Sequence, residues 1–362
     1  MVLQQNKKQT KKIKMTDMLL PWIDVNNIDN DALSANENDH AIQLSREHPD
    51  KIDWRALSGN QNENAIQLLC ECPENIHWPT LSNNSSDGAI VLLQDNIDKI
   101  DWPSLSSNSH EDAIQLLRDN PDNIDWHNLS YNQSDDAIQL LQEHPENIHW
   151  LYLSANENDD AIAILRDHPD KINWPFLSRN ENDHAIHLLR DYPDKICKST
   201  ISQNTNEHAI QLLRDYPDNI DWRRLSKNPS NDAIQLLREH PDNIDWSLLS
   251  SNSNEHAIQL LREYPDKINW QYLSQNTSND AIQLLREHPE KIHWICLSKN
   301  PNDDAIELLR EYPDKILWQY LSKNTNKHAV ELLQEHSDNI DWSVFSKNPA
   351  MFQPLVSSYV LK

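Results

Sequence analysis

The stretch AIQLLREHPDNIDWSLLSSNSNEH, residues 233–256, recurs with small changes every 24 residues along the chain and decides the fold. Asn stands at 36 and at every 24th position to 348, with Ser two places before it each time. Ala holds 41 through 329 without exception, and Trp holds 54 through 342 except at Lys198. A register free of insertions means that each repeat meets its neighbour through the same contacts. The sequence therefore predicts an all-α solenoid rather than the two or three compact domains that 362 residues would ordinarily make.

Each repeat reads as two short helices. Ala65, Ile66, Leu68 and Leu69 form an apolar stripe on one helical face, with Asn62 as N-cap and Glu63 in the first turn, where the helix dipole favours an acid. The cap slot is Asn or Ser throughout, apart from His110. Pro73 and its equivalents stop this longer helix after about ten residues. In the second half, Asp245 caps a helix of one or two turns, partly 3₁₀, in which Trp246 and Leu249 share a face. Pro79, Pro103 and Pro175 directly follow Trp, a position that a first turn tolerates. A lone repeat cannot bury its Trp, Ile and Leu, so stacking is obligatory.

The expected organisation is a basic tail over 1–14, an N-terminal cap with a partial repeat over 15–35, thirteen repeats over 36–347 and a C-terminal cap over 348–362. Only 37% of residues are hydrophobic, yet they keep a strict register, which disordered chains do not. Gly occurs twice, so Asn, Ser, Asp and Pro make the turns. Net charge is −25, and the five lysines of 1–14 leave −30 on the rest. That body repels phosphate, which argues against nucleic acid as a partner. The leader is read first as a solvated tail, with a nuclear address or a contact for an anionic surface as alternatives. Cys70, Cys72, Cys197 and Cys296 form no disulfide framework, and no apolar run reaches the length of a membrane span. The expectation is a soluble intracellular protein.

The string D-K-I-D-W-x-x-L-S-x-N at 50–60, repeated with Asn for Lys at 242–252 and followed by A-I-x-L-L, resembles the tandem repeats of giant-virus proteins. The opening L-L-P-W-I at 19–23 and the ending K-N-P-A-M-F at 347–352 are similar to the ends of those proteins. The resemblance implies a viral repeat protein, in the host cytoplasm or, through its basic tail, the nucleus, and it supplies no activity. More distantly, the plan is similar to leucine-rich variant repeats, which implies a right-handed superhelix.

No catalytic, cofactor-binding or metal-binding residue is assigned. Fourteen copies of Ser and Asn are too many for one activated nucleophile, and Asn is expected to satisfy backbone at each junction. The histidines recur in two slots, opening and closing the longer helix. Copies 8–10 Å apart, the usual spacing of packed helices, cannot share one zinc ion. The Trp stripe is read as core. Recognition is expected where slots vary, namely the two positions after Trp and the one between Ser and Asn. The partner-binding candidates are Arg55, His127, Tyr131, Tyr152, Phe176, Arg179, Arg223, Arg224, Tyr272 and Tyr320. The sequence thus reads as a non-enzymatic scaffold presenting an extended acidic surface to a protein partner with a basic surface. A structural component of a particle or filament is the alternative, and a modular nucleic-acid binder a more distant one. The junction at 196–202 is expected to be the weakest, since Lys198 replaces Trp and Ile201 replaces Leu.

Overall fold

The computed structural model describes residues 33–345, 348 and 350. The expected basic tail, most of the N-terminal cap and the C-terminal cap beyond 350 lie outside the described residues. Within them every element is a helix, and the fold is an all-α solenoid. The chain divides into two compact modules, Met1–Asn173 and Trp174–Lys362. In both, consecutive long helices pack on one another, and so do consecutive short helices.

A first-module repeat runs through a long helix Asp135–Glu143, a 3₁₀ turn Pro145–Asn147 and a short helix Trp150–Leu153. Its second-module counterpart runs Asn231–Glu239, Pro241–Asn243 and Trp246–Ser250. The separate 3₁₀ turn differs from the two-element reading, which placed 3₁₀ character inside the short helix. Its cause is local: proline ends the long helix but suits the first position of the next turn, where no amide donor is needed.

Capping follows the expected chemistry. Asn62 accepts from the Asn64 amide and Ser134 from the Ala137 amide, and the exceptional His110 does the same job through Nδ1, 3.1 Å from the Asp112 amide. Asp245 caps its short helix by accepting from the Leu248 amide. The Ala, Ile and Leu of the long helices and the Leu of the short helices, with Ile201 and Phe345 in two of those Leu slots, form the core, and Ala257, Leu261 and Leu249 are fully buried.

The tryptophans depart from expectation. Those from Trp54 to Trp318 are half-buried, and Trp342 is 58% exposed. Leu, three residues on, takes the core position, while the indole lies at the seam with the next repeat. There it packs against the ring that closes the next long helix, as in Trp126–His144 at 5.4 Å between centroids and Trp246–Tyr264 at 5.0 Å. The alternation of His and Tyr in the closing slot thus has a second cause besides the helix C-terminus: either ring covers an indole face.

The Ser and Asn of each repeat make a continuous polar ladder inside each module. Asn108 Nδ2 donates to the carbonyls of Ser82 at 3.1 Å and Asn84 at 3.0 Å, and its Oδ1 accepts from the His110 amide. Asn252 does the same with Ser226, Asn228 and the Asn254 amide. Ser226 Oγ donates to the Trp222 carbonyl and accepts from the Asp245 amide of the following repeat, at 2.8 and 3.0 Å. Both residues are buried, so these bonds stand where water would otherwise be required. At the junction that lacks Trp the ladder persists: the Cys197 amide reaches Ser178 Oγ at 3.0 Å, and Ile201 is fully buried.

Candidate interaction ridge

The positions that vary between repeats sit on the outer side of the short helices. Helical spacing explains this: Leu points into the core and Trp, three before it, toward the seam. The two residues between them, and the one between Ser and Asn, therefore lie on the other side, where most are exposed or half-buried and Cys296 is buried. Stacking then joins slots that are far apart in sequence. The position between Ser and Asn in one repeat meets the second position after Trp in the next, 21 residues on. Gln275 Nε2 lies 3.2 Å from Cys296 Sγ, and Lys299 Nζ stands 4.4 Å over the Tyr320 ring. A Cβ on Gly59 would come within 3.0 Å of Thr80. The Gln203 side-chain oxygen, turned toward Arg224, accepts from its Nε at 3.3 Å. The two sets of variable slots therefore form one ridge in each module.

Of the sequence candidates, Arg55, His127, Tyr131, Tyr152, Phe176, Arg179, Arg223, Arg224 and Tyr272 are exposed, and Tyr320 is half-buried beneath Lys299. The structure gathers two groups. In the first module His127, Tyr131 and Tyr152 meet, with ring centroids 6.1 Å apart for His127–Tyr152 and 6.4 Å for Tyr131–Tyr152. His149 completes this cluster, 4.3 Å from His127. Burial, and then the neighbouring His127, pull the His149 imidazole below its ordinary pKa, and its Nδ1 has no partner.

In the second module Arg223 and Arg224 share a recess of about 500 Å³ with Gln203, Lys227, Pro229 and Leu248. Arg223 reaches Asp245 only at 3.8 Å and keeps 78% of its side chain exposed. The remaining candidates, Arg55, Phe176, Arg179, Tyr272 and Tyr320, belong to neither group.

Lys227, Lys299 and Gln203 stand in a slot that the sequence marks as variable, though not among the named candidates, and the sequence carries a further signal for that slot. Across both modules no Asp or Glu occupies any of the three outward slots, in a chain with 57 acidic residues. The second module places Arg179, Arg223, Arg224, Lys227, Lys299 and Lys323 in them, whereas the first places only Arg55.

Acids stand on the long helices, on the 3₁₀ turns and at the caps of many short helices, and on the long-helix face arginines bridge successive repeats. Arg190–Asp215, Arg238–Glu263 and Arg286–Glu311 span 3.3, 2.9 and 3.1 Å, and Arg214–Glu239, Arg262–Glu287 and Arg310–Glu335 fill the rungs between. The side-chain bonds from Arg214 and Arg262 hold Glu239 and Glu287 below the usual carboxylate range. Opening-slot histidines also face carboxylates of the preceding repeat, as His208 Nδ1 does Asp183 at 3.1 Å, and the capping His110 Nε2 lies 3.0 Å from Asp87.

No helix among the described residues is long and apolar enough to cross a membrane. No protein-family profile, curated protein or solved structure matches the chain.

Proposed function

We propose that this protein is a non-enzymatic scaffold whose repeats present extended surfaces to a protein partner. One observation carries the reading: the recurrent polar residues that would be candidates for chemistry are committed to the interior. Ser226 and Asn252, like their copies, spend their side chains on backbone groups of their own and neighbouring repeats, so these recurrent residues are not free to serve as nucleophiles. Variation is gathered instead on exposed ridges, the usual place for recognition on a rigid framework. The partner expected from net charge, one with a basic surface, would meet the long-helix face, which carries acids. The giant-virus resemblance adds a proposed origin to this reading.

The test is affinity purification of the full chain from its source cell, with cross-links mapped onto the repeats. A partner recovered above background and cross-linked to repeat surfaces supports the scaffold. Recovery of no partner overturns it.

A further inference from the structure

We propose that the ridge of the second module docks an extended acidic segment of a partner protein, its carboxylates seated on Arg223, Arg224 and Lys227 and on the lysines further along. The proposal rests on the scaffold reading and specifies one of its surfaces.

The first support is charge segregation. On the long-helix face the arginines are spent on carboxylates of the next repeat. On the ridge Arg179, Lys227 and Lys323 are exposed with no carboxylate within ion-pair distance among the described residues. A body so acidic has carboxylates to spare for neutralising these cations, yet none occupies an outward slot.

The second support is the shape and lining of the recess. Three cations stand around it, Gln203 holds the Arg224 guanidinium from one side, and Pro229 and Leu248 provide apolar surface between them. The corresponding recess of the first module contains Arg55 but also Glu37 and Asp53, which would repel a carboxylate. Further along the second module Lys299 and Pro301 line a smaller recess of about 280 Å³ with Gln275 and Cys296. Exposed Tyr272 stands between these two sites in sequence. Arginine and tyrosine beside apolar pockets are the residue types that anchor protein interfaces.

The occupant follows from charge. Guanidinium groups bind carboxylates through paired donors. A polynucleotide would bring a continuous line of phosphates against a body of −30, whereas a peptide brings a few carboxylates that the ridge alone can match. In a second copy of this chain the carboxylates that close the second-module long helices, such as Glu239, Glu263 and Glu287, are already bridged by arginines, and self-association is read by the scattering arm below.

The experiment titrates the full chain into a fluorescein-labelled peptide of repeating Glu-Asp-Leu, with anisotropy as readout and light scattering alongside. The expected result is saturable binding that weakens as salt rises. The double variant Arg224→Gln, Lys227→Gln should lose about tenfold in affinity, a change of roughly 1.4 kcal/mol. Arg262→Gln, which removes a cation from the long-helix face, should bind as the parent does, and circular dichroism should show all three chains equally helical. The proposal is overturned if the peptide does not saturate, or if Arg262→Gln weakens binding as much as the ridge variant. It is equally overturned if a labelled single-stranded oligonucleotide of the same charge binds more tightly, or if scattering shows the chains joining through the ridge. A partner cross-linked only to the long-helix face would leave the scaffold standing and sink this inference alone.

Discussion

The two modules share one interior and differ in their surfaces. Asn108 in the first and Asn252 in the second make the same three bonds within 0.2 Å of one another. Outside, the first module interrupts the arginine row with Cys70, Gln94 and Gln142, while the second carries six successive bridges from Arg190 to Glu335. The first module's Trp54, Trp78 and Trp102 have Cys72, Asn96 and Asn120 in the corresponding closing slots, where later repeats supply His or Tyr. The lesson is that stacking does not depend on the outer rows. The buried ladder and apolar core make the solenoid, so the surfaces were at liberty to diverge, one toward an aromatic cluster and the other toward a basic ridge.

The comparison is tested most severely at the ladder. Asn108→Ala and Asn252→Ala should each cost about 2–4 kcal/mol, because each strands two buried carbonyls and an amide. Local unfolding free energies from hydrogen exchange measure this repeat by repeat. Costs that differ strongly between the modules would break the claim of a common interior. Asn252→Asp should be worse still, since a carboxylate would face two carbonyl oxygens.

A smaller effect belongs to the second module's one missing indole. Tyr216 has Lys198 opposite it instead of Trp, and the Cys197 side chain makes no capping bond. Lys198→Trp should stabilise this junction by about 1–2 kcal/mol through ring contact and apolar burial. In the parent, exchange should be fastest at 196–202, and protection equal to that of the neighbouring junctions would refute the reading.

In the first module His149 stands where Asp caps other short helices, without a capping bond of its own. His149→Asp should add about 1 kcal/mol. The parent carries a pH dependence here. The folded imidazole prefers its neutral form, so its contribution is intact above the ordinary histidine pKa. It is lost as pH falls from there through the lowered folded value. Thermal melts below pH 6.5 should therefore show the variant less sensitive than the parent.

The smallest effect concerns the bridges. Arg238→Ala in the second module and Arg118→Ala in the first should each cost about 0.3–1 kcal/mol, as exposed pairs do. Glu239 and Glu287 have lowered values, so their contribution is present above the ordinary carboxylate pKa and is lost as pH falls through the folded value. Acid should therefore loosen the second module's bridges, and salt should do the same at neutral pH. An acid response confined to the first module would contradict this.

Much of the fold was legible in the letters themselves. Capping residues, the Ala-Ile-x-Leu-Leu stripe and the proline stop act over a few residues, and their order along the chain is the information they carry. The register, the all-α class and the use of Asn to satisfy backbone could be read on that basis. The candidate site was legible only in part. Variable slots point to Arg223, Arg224, Lys227, Tyr152 and Tyr272 but not to His149, and nothing in the letters joins the two sets of slots.

What stacking alone decided lies between repeats. The Asn252 amide reaches carbonyls 24 and 26 residues earlier, and Lys299 reaches a ring 21 residues later. No local rule sets those distances, because they depend on how one repeat settles on the next. The same settling moved Trp from the expected core to the seam, where Leu had already filled the interior and a neighbouring ring remained to cover the indole. It also set cations of the second module along one ridge and the arginine–carboxylate bridges on another face.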